Sequence, residues 1–181
     1  MAEKGKFKRG HPGTEDGMIE SRTLVREGVT TGLLGAAGVA GWFLALDTLA
    51  GRPLFTPDAL GRMLFGPLGA HPQAGGIHPG IVAGYTLFHC VVFVAVGLLA
   101  ALLVRVAEHQ PVVLALFAVL FAIIEMGFYG LTAVLDTTGG LRGMAWWQIA
   151  GGNLVATALM GGHLLRRHPA LARELDLALS R

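Results

Sequence analysis

The chain has 181 residues, of which 53% are hydrophobic and only 14% charged, with a formal net charge of +2. A soluble domain of this length carries about a quarter charged residues. The polar material here is too sparse to cover a water-exposed globule, which excludes an ordinary soluble enzyme and points to the bilayer as solvent.

Residues 1–17 open with "KGKFKRGHPGTEDG", a polar, Gly-rich stretch that reads as a flexible cytoplasmic arm. From Met18 the pattern turns helical and leads into the first of four apolar stretches, at about 28–50, 80–104, 112–135 and 144–165. Each is long enough to cross about 30 Å of hydrocarbon at a 1.5 Å rise per residue. The first has too long an apolar run and too long a charged lead-in for a cleavable signal. The expected fold is all-α: an integral membrane antiparallel four-helix bundle over 18–168, with short amphipathic interfacial helices.

The first span, "GVTTGLLGAAGVAGWFLALDTLAG", carries a ridge of small residues through Gly28, Gly32, Gly35, Gly38 and Gly41. Small residues let helix backbones approach closely, which replaces a hydrophobic drive that lipid does not supply. The ridge predicts packing against the second or fourth helix, or self-association. The outer connection begins "GRPLFTPDALGRMLFG", where Thr56 suits a helix cap, Pro57 the first helical position and Asp58 the positive helix end. A short helix over about 57–65 is expected on the outer membrane surface, with Leu60, Met63 and Leu64 on one face. His71 and His78 follow in a turn-rich loop and read as solvent-exposed, with no Cys or carboxylate to support a shared metal.

Short connections make the second, third and fourth spans antiparallel neighbours, and Trp146 and Trp147 read as interfacial anchors of the fourth. Cys90, the single cysteine, reads as a small hydrophobe within the second span. Residues 169–181 place Leu171, Leu175 and Leu179 at helical spacing, which predicts a cytoplasmic amphipathic tail helix on the membrane or a partner. Eleven basic residues fall on the side of the two termini, whereas Arg52, Arg62 and Arg142 fall on the other. The positive-inside bias therefore puts both termini in the cytoplasm, and the charge is topological rather than a footprint for nucleic acid.

Three spans carry a polar side chain at similar depth. By rise per residue, Glu125 lies roughly 15 Å from the outer end of its helix, and His89 and Asn153 roughly 14 Å from theirs. Tyr85 and Tyr129 lie four residues from His89 and Glu125, hence on the same faces. Gln148, Asp47 and Asp136 extend the seam outward. A carboxylate at a helix centre costs about 2.5–3.5 kcal/mol on insertion scales, so Glu125 must face protein and needs a partner or a proton.

Such a cluster either fixes helix register or holds something. The candidates are a quinone, lipid or other small ligand, a metal at His89 and Glu125, a haem on His89, or proton or ion passage. The metal reading lacks the Glu-x-x-His repeats of di-iron bundles. The haem reading lacks a second histidine at the right depth, since His163 lies near the cytoplasmic end. No Ser-His-Asp set, His-Glu-x-x-His motif or phosphate-binding Gly-Lys-Ser/Thr loop is present, so the expectation is not an enzyme.

The elements "GRPLFTPDALG" (51–61), "GYTLFH" (84–89), "IIE" (123–125) and "GNL" (152–154) resemble a family of small four-span bacterial integral membrane proteins without an assigned function. The resemblance covers about 27–168; it implies a bacterial inner membrane and supplies no catalytic residue to carry over. Two functions are expected. One is a non-catalytic accessory or scaffold subunit of a larger membrane complex. The other is a ligand- or cofactor-binding membrane protein built on His89, Glu125, Asn153, Tyr85 and Tyr129.

Overall fold

The computed structural model describes residues 12–66, 76–107, 146–171 and 173. Within them the chain is helical with no strand, in the order α1 (Pro12–Leu49), α2 (Phe55–Phe65), α3 (Pro79–Ala107) and α4 (Trp146–Arg167). The expected span at 112–135 lies outside the described residues. Among the described residues two helices, Ser21–Leu49 and Pro79–Ala107, are long and apolar enough to cross a membrane. Only 28% and 17% of their most apolar windows are buried inside the protein, so neither behaves as the core helix of a water-soluble domain. The exposed faces are apolar: Leu87, Val91, Leu99 and Leu102 project from α3, and Leu33 and Leu44 from α1. The 22 residues of α4 suffice in length, but Gln148, Asn153, His163 and four glycines dilute its apolarity.

α1 begins six residues earlier than the sequence pattern suggested. Pro12 takes its first position, where a missing N–H costs nothing and the fixed φ is already helical. Its end is a complete glycine stop. The Arg52 amide donates to the Asp47 carbonyl (2.9 Å) and the Gly51 amide to that of Thr48 (3.0 Å), with Gly51 at φ 72°. The chain then turns through Pro53 and Leu54, which adopts φ 65°, into α2.

α1 is the central helix. It packs along α3 on one flank and α4 on the other, whereas α3 and α4 meet at few points. The small-residue ridge makes both contacts. Gly28 and Gly32 lie against Leu98, Phe93 and Val94, with Gly97 of α3 set into the backbone of Gly28 and Gly32. Gly35 meets Phe93 and Met160, and Gly38 meets Leu159 and Val155 of α4. Among the described residues nothing lies within 4 Å of where a Gly41 side chain would start. On the α4 side Gly151 and Gly152 make room for the Trp42 indole, whose Nε1 donates to the Gln148 carbonyl at 2.8 Å.

The most deeply buried apolar cluster sits at the opposite end from α2. Ala101, Val104 and Ala107 of α3 enclose Leu164 and Leu171, with Leu24 against them. Leu171, expected on a membrane or a partner, is instead buried within the chain itself. Nearby, His168 Nε2 lies 2.8 Å from Glu27 Oε1 and ties the residues after α4 to α1.

Candidate functional site

His89 is held by three neighbours. The Tyr85 ring stacks one turn before it, at 5.9 Å between centroids and 29° between planes. Phe93 lies one turn after, at 4.6 Å and 44°. Spacing of four residues puts all three on one face of α3. Across the seam, His89 Nε2 lies 3.3 Å from the carbonyl oxygen of Ala36 on α1. A carbonyl can only accept, so Nε2 carries the proton in this contact, and in a neutral ring Nδ1 then keeps the lone pair.

Beside this stack, α1, α2 and α3 line a partly open cavity of about 220 Å³. Val39, Phe43 and Leu44 form its α1 wall, Leu54, Pro57 and Leu60 its α2 wall, and Val82, Tyr85 and His89 its α3 wall. Thr56 and Thr86 add two hydroxyls, of which Thr86 already donates to the Val82 carbonyl (2.8 Å). Gly41 also lines it, and among the described residues nothing lies within 4 Å of where its side chain would start. The cavity is therefore apolar, with its histidine and tyrosine on one wall.

α2 closes that cavity through two polar clusters, both only partly legible in the sequence. Asp47, 6% exposed, accepts the Thr56 amide at Oδ2 (2.7 Å) and the Thr56 hydroxyl at Oδ1 (2.8 Å). Thr56 was expected to cap α2. Instead Leu54 holds the cap position without a side-chain bond, and Asp47 of α1 caps the helix from outside. The second cluster centres on Asp58, buried on α2. Its Oδ2 accepts Arg62 Nε (2.7 Å) and its Oδ1 the His78 amide (2.8 Å). Burial alone would raise the Asp58 carboxyl, but the His78 amide and the Arg62 guanidinium outweigh it and hold the carboxyl below its ordinary value.

His78 departs from its expected exposure. It is half-buried, and Arg62 Nη2 lies 3.0 Å from its Nδ1 while also reaching the Gly76 carbonyl at 2.6 Å. A guanidinium only donates, so His78 Nδ1 accepts and is engaged rather than open to a metal. His71 lies outside the described residues. Among the described residues no group of three or more His, Cys, Asp or Glu is arranged to hold a metal.

The sequence-derived cluster is thus seen in part. Tyr85 and His89 come together on α3 and line one cavity. Asn153 is half-buried on α4, with its carbonyl accepting the Thr157 hydroxyl at 2.8 Å, on a helix that α3 meets at few points. Glu125, Tyr129 and Asp136 lie outside the described residues. Cys90 is half-buried on α3, and His163 on α4 keeps a buried Nε2 without a hydrogen bond.

Three neighbours of the site were not anticipated: Phe93, the Ala36 carbonyl and the α2 wall. Phe93 was readable as the next aromatic at a spacing of four. The others depend on how α1 and α2 fold back on α3, which spacing alone does not give. No family model, curated protein or solved structure matches the chain.

Proposed function

We propose that this chain is a multi-pass integral membrane protein of a bacterial inner membrane, with both termini cytoplasmic, that binds a ligand rather than catalysing a reaction. The ligand is an apolar molecule with one hydrogen-bonding group, of the lipid or quinone type. The observation that carries this reading is the cavity between α1, α2 and α3, apolar throughout but walled on one side by His89 and Tyr85. Its volume of about 220 Å³ exceeds the roughly 150 Å³ that holds benzene in an engineered protein cavity. It falls below the roughly 300 Å³ at which pockets for drug-sized ligands begin. A single substituted ring or a stretch of acyl chain fits; a haem macrocycle does not.

With Nε2–H directed to Ala36, neutral His89 has an acceptor to offer at Nδ1 and so favours a ligand hydroxyl. Glu125, at similar depth by sequence, and Tyr129, one turn nearer the outside, are the proposed remainder of the polar contacts. The test is purification in mild detergent, organic extraction and mass spectrometry of what co-purifies. His89→Ala and Gly41→Phe, which adds a ring to the cavity lining, should each deplete one specific species. Equal recovery of every extracted molecule from wild type and both variants would end the reading.

A second role, as a non-catalytic accessory subunit, rests on a different observation. Leu87, Val91, Leu99, Leu102 and Val106 leave much of α3 exposed and apolar, a face that meets lipid or another subunit. Mild extraction followed by native electrophoresis tests it, and a lone monomer at every stage would count against it.

A further inference from the structure

At the end of the molecule remote from α2, Arg22, Arg26 and Thr30 follow one another at intervals of four and form a ridge on α1. A groove lies on each side of it. The groove towards α4 holds about 260 Å³ and is lined by Arg22, Arg26 and Arg167 together with Thr23, Glu27 and Thr30. The other is shallow and open, formed on the surface of α1 alone, and runs past Val25 and Val29, with Arg22 and Arg26 again on its edge. None of these three arginines has an ion-pair partner among the described residues, and all three are exposed. The one carboxylate in the polar groove, Glu27, is engaged by His168 at 2.8 Å with only 10% of its side chain exposed. The Thr30 hydroxyl donates to the Arg26 carbonyl (2.8 Å), so it offers no proton to a ligand and the guanidiniums are the donors.

We propose that this end of α1 and α4 is a binding site for one anionic phospholipid, its phosphate in the groove of Arg22, Arg26 and Arg167 and an acyl chain along Val25 and Val29. Planar guanidiniums pair with phosphate oxygens through two parallel N–H bonds, which a diffuse surface charge does not reproduce. The polar groove alone would suit any phosphate. The apolar groove sharing the same two arginines is what selects a lipid, since a free phosphate has nothing to place there. The site is separate from the α1–α2–α3 cavity and rests only on the reading that α1 crosses the membrane.

The experiment is native mass spectrometry of the full chain in detergent, titrated with phosphatidylglycerol, with phosphatidylcholine and with inorganic phosphate. Two variants of equal charge are compared, R22Q/R26Q inside the site and R166Q/R173Q outside it. Phosphatidylglycerol should be retained over phosphatidylcholine. The inner variant should lose affinity about 30-fold, from about 5-fold per arginine, and R167Q alone about 5-fold. The outer variant should stay near wild type, and phosphate should not displace the lipid. Equal losses in the two double variants would reduce the site to bulk charge, and equal retention of the two lipids would overturn it. Displacement by phosphate would make it a site for a soluble anion. Carbonate extraction of the same membranes separates the two failures. Wild type released by carbonate refutes the spanning reading, whereas wild type that stays in the pellet without retaining phosphatidylglycerol refutes the site alone.

Discussion

Gly97→Ala tests whether the α1–α3 seam is held by backbone contact. A methyl placed on Gly97 would sit 2.7 Å from Gly32 Cα, and closer still to Gly28 O and Gly32 N. Carbon atoms rest at about 3.5–4.0 Å, so the helices must part by about 1 Å. A gap of that size forfeits a quarter to a half of each contact's dispersion well of about 0.1–0.2 kcal/mol. Over about 50 atom pairs, the number one buried leucine makes, the loss comes to about 3 kcal/mol. That figure lies at the upper end of the usual cost of overpacking, about 1–3 kcal/mol. Alanine returns at most about 1 kcal/mol through helix propensity, leaving a net destabilisation of about 2 kcal/mol.

Gly41→Ala is the matched control, because its methyl meets no described residue within 4 Å and only the propensity gain is expected. Unfolding in mixed micelles by titration with dodecyl sulfate, followed by far-ultraviolet circular dichroism, should separate the two variants by about 3 kcal/mol. Gly28→Ala, whose methyl would fall 2.6 Å from Leu98 Cα, should follow Gly97→Ala. Coincident curves for Gly97→Ala and Gly41→Ala would refute the seam.

Three further outcomes follow from the polar groups. Thr31 is fully buried with its hydroxyl unpartnered, so Thr31→Val should stabilise by about 1 kcal/mol in the same titration; a loss would show that the hydroxyl is bonded. Asp47→Ala strips the Thr56 amide and hydroxyl of their acceptor and should cost about 2–3 kcal/mol, with Asp47→Asn about half as severe. Asp58 has a folded-state pKa below its unfolded value of about 3.9. Its contribution is therefore complete above about pH 4 and is lost as the pH falls through the lower folded value. Amide protection over residues 55–65 should drop in that acid range in wild type, and Asp58→Asn should remove the pH dependence of that drop.

The parts of this molecule that were legible before the fold was known share a physical basis: they depend on spacing along one helix. The apolar runs at 28–50 and 80–104 reappear inside α1 and α3, and Tyr85 meets His89 because four residues make one turn. What escaped depends on which helix folds back on which. Thr56 has the chemistry of a cap, yet the adjacent α1 end brings Asp47 to it, so the hydroxyl and amide turn to that carboxylate. His78 reads as a loop histidine until Asp58 and Arg62, sixteen to twenty residues earlier, close on it. Leu171 reads as one face of a surface helix until Ala101, Val104 and Ala107 leave space for it.

The same distinction explains the two binding sites proposed here. A spacing of four along α1 puts Arg22 and Arg26 on one ridge, which the sequence displays, but only the approach of the α4 end brings Arg167 to that ridge. Likewise the aromatic face of α3 is written in its spacing, but the cavity beside His89 exists because α2 returns over it. Gly61 permits that return: a methyl there would fall 2.6 Å from Ile81 Cγ2 and 3.2 Å from Tyr85 Cβ. Asp47, through Thr56, and Asp58, through the His78 amide, then fasten α2 from either side, so the wall opposite His89 is held by hydrogen bonds and not by apolar packing alone. A ligand entering from lipid would therefore meet a wall whose hold weakens in acid, on the side where α2 covers the cavity.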